Sequence, residues 1–330
     1  MDLQHENSVG TKAYSAQCIN KKLVHKRAIS EVFITSIKTT KQDQFLVTAQ
    51  LPRTHMYFND NLTGYYDAIL LQEIFRQAAI SITHQFYQIP FSNIFIIDNT
   101  QLEIKNHQLL KMINYPADVF IDIKILTFKT KRDTLTGLTL SEQLYINNLP
   151  CAHSQTTMHW LNQALWTKLR KKTAIQFVSL GNNYYSENYF PLPAFMVGKN
   201  LSKNVVATNL IENHATIQTT LDFDPGYSAL CDHEVDHISG MVLVELCKQT
   251  ALIAIRKCFQ LPANLLELIS CCLNFKAFCE LGSDVDCVID KAKMVLDTSQ
   301  ENQTITFPIV IKQKDKTMAS VDVTFKILSH

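Results

Sequence analysis

The chain has 330 residues, 46% hydrophobic and 18% charged with 8 Gly and 9 Pro, which excludes a disordered or low-complexity protein and leaves room for two cores. Lys and Arg number 31 against 30 Asp and Glu, a formal net charge of +1, so no global field gathers nucleic acid or an anionic membrane. No run of ~20 apolar residues offers a membrane span, and nine Cys, an odd count without a CxxC pair, read as reduced thiols of a cytoplasmic protein.

In chain order, residues 1–20 read as an N-terminal tail without an apolar signal core. "SEVFITSI" then alternates with period 2, as a half-buried strand requires, and the chain reaches Pro52 within "QLPRTHMYF". "DAILLQEIFRQAAI" (67–80) opens a helix running from 68 to about 86. Ile69, Leu70, Leu71, Ile74, Phe75, Ala78, Ala79, Ile80 and Ile82 leave it apolar on most sides, so it is expected to be buried. "DVFIDIKILTF", "TLSEQLYIN" and "HSQTTMHWL" follow as strands, and residues 166–200, basic and then aromatic, form a connector with no partner elsewhere.

The programme then repeats. "ATIQTTLDF" leads to Pro225, "SGMVLVELCKQTAL" (239–252) aligns without gaps to residues 67–80 at an offset of 172, and "DVDCVIDKAKMVL", "TITFPIVIKQ" and "ASVDVTFKIL" complete it. This predicts two modules, 21–165 and 201–330, each a long apolar helix wrapped by a curved antiparallel sheet: an α+β double hotdog.

Amid those apolar helices, Glu73, Arg76 and Gln77 recur as Glu245, Lys248 and Gln249. A buried carboxylate is costly unless paired or hydrogen-bonded. Two readings stay open: intrahelical ion pairs steadied by the glutamines, or groups facing a cleft in which a glutamate of raised pKa is a general base. His233-Glu234-Val235-Asp236-His237 matches H-E-x-x-H, a zinc pattern only if it is helical. Ser239 stands opposite Asp67, both good N-cap residues, which places His233 and His237 in the preceding loop. Gly64 stands opposite Asp236, and Leu243 takes the place of a third zinc-binding His. The reading is therefore of no metal and no cofactor. His233, His237 and His55 are loop candidates to orient or share a proton with Glu73 or Glu245, against ordinary loop hydrogen bonds; His84 and His107 read as structural. Arg53, Arg76 and Lys248 could hold a phosphate, although Arg53 reads equally as a solvated charge. Backbone N–H groups near Ala68 and Gly240 are candidate oxyanion donors, with Gly240 admitting a substrate closely.

"VHKRAISEVFIT", "QLPRTHMYF", "YYDAILLQEIFRQAAI" and "DHEVDHISGMVLVE" resemble, in order, the motifs of the A-factor biosynthesis hotdog family, from about Val24 to near the C-terminus. The resemblance implies transfer of a β-ketoacyl group from acyl carrier protein, or another thioester such as that of CoA, to the hydroxyl of a small phosphorylated acceptor such as dihydroxyacetone phosphate. Glu73, Arg76 and Glu245 match the family's pattern, whereas Lys248 replaces an Arg and lacks its planar fork. A more distant likeness to β-hydroxyacyl-carrier dehydratases lacks their His, whose position is taken by Cys231. The alternatives are a hotdog thioesterase or dehydratase, and a non-catalytic scaffold. The internal pair allows a monomer or a homodimer.

Overall fold

The computed structural model describes residues 17–174, 189–232, 236–299 and 303–328; His233 lies outside them. The first module runs β1 (Ile34–Lys41), β2 (Gln44–Leu51), α1 (Ala68–Tyr87), β3 (Ile94–Ile104), β4 (Ala117–Lys131), β5 (Thr134–Ile146) and β6 (Leu149–Leu161). After α2 (Gln163–Ala174), the second runs β7 (Ala207–Glu212), β8 (Thr216–Leu221), α3 (Gly240–Phe259), β9 (Leu266–Phe275), β10 (Asp286–Asp290), β11 (Val295–Asp297), β12 (Thr304–Gln313) and β13 (Lys316–Ile327). Both modules are hotdogs, and they share one 13-stranded sheet in the order β1-β2-β4-β5-β6-β3-β9-β13-β12-β10-β8-β7, with β11 beside β12.

Local chemistry explains the elements. The strands alternate buried and open residues: Leu138, Leu140, Leu144 and Ile146 of β5 face inward, as do Ile305, Phe307, Ile309 and Ile311 of β12. The hairpins closing β4–β5, β5–β6 and β12–β13 turn on Arg132-Asp133, Asn147-Asn148 and Lys314-Asp315, all at positive φ, as a tight two-residue turn demands. Both long helices end at a Gln in the left-handed region, Gln88 and Gln260. Their apolar surfaces fill the hollows of the sheet, with Leu70, Leu71, Ile74 and Phe75 of α1 and Ala251, Ile253 and Ile255 of α3 essentially inaccessible.

The modules join where β3 pairs antiparallel with β9. Thr100 lies opposite Leu273 and Leu102 opposite Cys271, a reciprocal pattern that makes the join pseudo-twofold. The likeness also reaches upstream of the sheets. A 3-10 turn at Lys21–Val24 ends in His25 at φ 56, and one at Ala194–Val197 ends in Gly198 at φ 75. Residues 194–200, read from sequence as connector, thus repeat residues 21–27.

Candidate active site

Each long helix carries its glutamine as a clamp. Gln77 Oε1 accepts from Phe33 N at 3.0 Å, while Nε2 donates to Glu31 O at 2.7 Å and Glu73 Oε1 at 2.9 Å. Gln249 Oε1 accepts from Val206 N at 2.8 Å, and Nε2 donates to Asn204 O and Glu245 Oε1, both at 2.8 Å. These carboxamides tie the chain entering each sheet to its helix and fix one oxygen of each glutamate. They are positioning groups and do not line the large cavity described below.

The glutamates differ in what surrounds them. Arg76 grips Glu73 with two parallel bonds, Nε to Oε2 at 2.7 Å and Nη2 to Oε1 at 2.8 Å, and Lys26 Nζ adds a contact at 3.1 Å. Burial pushes this carboxyl up, but Arg76 and then Lys26 more than reverse it, holding Glu73 well below the usual carboxylate range. That corrects the expectation of a raised pKa. Glu245 is 0% exposed and meets Lys199 Nζ at 3.0 Å, with Lys199 lying 4.5 Å from the Tyr57 ring centre. Lys199 stands one residue beyond its 3-10 turn's C-cap, as Lys26 does, so the two lysines are equivalent.

A cavity of about 1100 Å³ separates the two outcomes. Glu73, Arg76, Lys26, Lys22 and Arg27 line it from the first module, and His237, Ser239, Gly240 and Met241 from the second. Phe91, Phe95, Met158, Trp166, Leu273 and Phe275 provide apolar wall. Glu245, Gln249, Lys248, His55 and Arg53 are absent from this lining. Lys248 crosses instead to Asp67 at the start of α1, with which it forms an ion pair, and both line a much smaller recess of about 30 Å³. His55 is held in place by Glu31, 3.2 Å from Nε2, and by the N–H groups of Tyr57 and Phe58 donating to Nδ1. Arg53 donates to Asn114 O at the surface. Lys248, His55 and Arg53 are thus engaged with protein partners away from the large cavity.

The helix N-termini are equally unlike. Asp67 caps α1, its Oδ1 accepting from Ile69 N at 3.0 Å. Ser239 stands at the N-cap of α3 but makes no side-chain capping bond, so the first N–H groups of that helix lack a side-chain cap where Gly240 and Met241 line the cavity. A Cβ at Gly240 would come within 2.8 Å of Phe275 Cζ, so that ring would have to shift. Since α3 begins at Gly240, His237 precedes the helix, 2.8 Å from Asp236 Oδ1.

Sequence reasoning missed Lys26, Lys199, Asp60 and Asp232. Asp232 receives Arg27 N at 2.5 Å and Ala28 N at 3.0 Å, and Asp60, its equivalent at offset 172, receives Asn200 N at 2.8 Å and Leu201 N at 3.0 Å. Each aspartate crosses to the other module. The signal for the lysines was present: "VHKR" (24–27) recurs as "VGKN" (197–200).

The A-factor biosynthesis hotdog domain matches this chain over residues 11–162 and 187–329. A 2-oxo-3-(phosphooxy)propyl 3-oxoalkanoate synthase from Streptomyces virginiae is 28% identical over 237 residues, 71% of this chain and 76% of its own. A synthase of the same name from Streptomyces griseus is 21% identical over 299 residues, 90% of this chain and 92% of its own. Among solved structures, a protein assigned as an oleoyl thioesterase from Lactobacillus plantarum superposes with a TM-score of 0.52 at 12% identity, covering 86% of this chain and 97% of that one. An isomerase-inactive variant of GphF DH1 gives 0.50 at 9% identity, with 90% and 96% covered. At such identities these two structures speak to the fold alone.

Proposed function

The chain belongs to the A-factor biosynthesis hotdog family, and from that premise we propose that it moves a 3-oxoacyl group from a thioester to the hydroxyl of a small phosphorylated acceptor such as dihydroxyacetone phosphate. The observation that carries this reading is the juxtaposition, in one cavity, of Glu73 with its cations and the uncapped start of α3. The acyl chain lies along Phe95, Met158 and Leu273, delivered on acyl carrier protein or CoA. Its thioester oxygen accepts from the N–H groups at Gly240 and Met241, where the helix dipole favours developing negative charge.

The acceptor's phosphate competes for Arg76 and Lys26. As those cations turn toward it, Glu73 loses the partners that depress its pKa and becomes a stronger base. Glu73 then takes the hydroxyl proton, the hydroxyl oxygen bonds to the carbonyl carbon, the C–S bond breaks, and the proton passes to the departing thiolate. His237, steadied by Asp236 at the rim, orients the acceptor.

Incubation with a 3-oxoacyl thioester and dihydroxyacetone phosphate, read by mass spectrometry, tests this. An acylated phosphate ester is expected, reduced about 10²- to 10⁴-fold in Glu73→Gln. Free 3-oxo acid without the ester would replace transfer by hydrolysis, and no turnover at all would overturn an enzymatic role.

A further inference from the structure

Beside Glu73, a polar seam leaves the cavity and runs into the core. Gln72 Nε2 donates to Thr100 Oγ1 at 2.8 Å, Thr100 and Thr156 hydroxyls lie 3.2 Å apart, and Thr156 Oγ1 donates to Glu142 Oε2 at 3.4 Å. Gln72, Thr100 and Thr156 line the cavity, whereas Glu142 is 0% exposed and its Oε1 has no hydrogen-bond partner. Among the described residues no cation pairs with Glu142, and burial pushes its pKa well above the usual carboxylate range.

The second module shows what the fold does without this seam. Val47 and Thr219 are equivalent at the offset of 172. Val47 pairs with Ile121 and Ile121 with Leu144, just as Thr219 pairs with Cys287 and Cys287 with Ile311. Leu144 therefore corresponds to Ile311, and Glu142, two residues earlier, to Ile309. Leu144 pairs with Ala152 and Ile311 with Ala319, so Ser154 and Thr156 correspond to Val321 and Val323. Thr100, opposite Thr156, corresponds to Cys271, opposite Val323, and Gln72 corresponds to Val244. Every polar member has an apolar counterpart. The architecture thus closes with hydrophobic residues at all five positions, and the seam is an expense the fold itself does not require.

We infer that Gln72, held by Thr100 and Thr156 and anchored on Glu142, is the specificity-determining group for the 3-oxo oxygen of the acyl chain, an inference that rests on the acyl-transfer reading above. Donation is directed at both ends of the seam, from the Gln72 amide to Thr100 and from Thr156 to Glu142 Oε2, which leaves Thr100 to donate to Thr156. This fixes the plane of the Gln72 carboxamide, whose second amide hydrogen remains for a ketone. The ketone is two carbons from the thioester carbonyl, and Gln72 directly precedes the proposed base. A saturated chain in the same place gives that amide no acceptor.

The test compares binding, by calorimetry, of two non-transferable amide analogues of the thioester, one 3-oxoacyl and one saturated, of equal length. The wild-type protein is expected to favour the 3-oxo analogue by about 10-fold, the worth of one buried hydrogen bond. Gln72→Val and Thr156→Val, which copy the second module, are expected to abolish that preference. Glu142→Ile should weaken it while melting no lower than the wild type, whereas Glu142→Gln, which keeps an acceptor oxygen, should retain it. A wild-type protein without preference, or an unaltered preference in a folded Gln72→Val or Thr156→Val, overturns the inference. Because binding is read without turnover, failure of acyl transfer alongside an intact preference would count against the transfer reading alone.

Discussion

Glu73 sits between two cations at the wall of the cavity, whereas Glu245 is enclosed with Lys199, and the difference predicts separable phenotypes. Glu73→Gln should lower transfer about 10²- to 10⁴-fold; Glu245→Gln should leave kcat close to wild type but strand Lys199 in the core, at a cost of about 3 kcal/mol in chemical denaturation. The low pKa of Glu73 also sets the sign of an acid effect. Its ion pairs stabilise the fold fully above the unfolded glutamate pKa of about 4.3 and are lost as pH falls toward the lower folded value. Thermal melts from about pH 5 to 3 should therefore show a shallower loss for Glu73→Gln than for the wild type. A third residue-scale prediction concerns Gly240, whose missing Cβ leaves room for the Phe275 ring. Gly240→Ala displaces that ring into the cavity and should lower kcat/KM by about 10- to 100-fold with little change in melting temperature. At this scale the recurring E-x-x-[RK]-Q pattern was legible because both helices repeat it without gaps. The ionisation state was not, since Lys26 lies far from Glu73 in sequence and meets it only through the fold.

The two long helices were readable from their apolar surfaces, and each sheet from its period-2 strands. What the strands hid was register. Glu142 alternates inward between Leu140 and Leu144, and its connection through Thr156 and Thr100 to Gln72 becomes visible only when three strands and a helix are assembled. The helix α2 shows a similar limit. Its "WTKLRKK" reads as the basic start of a connector, yet Trp166 and Leu169 line the cavity. Arg170 is the reason: Nη1 and Nη2 each reach the Glu280 carboxylate at 2.6 Å, and Nε reaches Asp236 Oδ2 at 3.1 Å. Asp236 answers with a pKa lowered to about 2, burial opposing the shift and His237 with Arg170 producing it. Arg170→Ala should remove this anchor and leave Glu280 buried without its guanidinium. We expect a loss of about 3 kcal/mol by denaturant unfolding, with a raised KM for the thioester as Trp166 and Leu169 leave the rim.

Across the whole molecule, pseudo-symmetry supplies the frame and its breaking supplies the cavity. Asp60 and Asp232 perform the same reciprocal task, each accepting two backbone N–H groups from the opposite module just after its 3-10 turn. Their energetic roles should be similar: replacing either with Ala leaves at least two donors without their carboxylate, Asp60 also losing Asn204 Nδ2, and should cost about 1 to 3 kcal/mol. Their functional roles should differ, because the turn held by Asp232 carries Lys26 and Arg27 into the large cavity, whereas the turn held by Asp60 carries Lys199 onto the enclosed Glu245. Asp232→Ala should therefore raise the KM for the phosphorylated acceptor, and Asp60→Ala should not, at matched losses of stability. Steady-state kinetics beside denaturant melts of the two variants would decide it: equal KM values would mean that the lysine-bearing turns do not distinguish the clefts, and that the acceptor binds elsewhere.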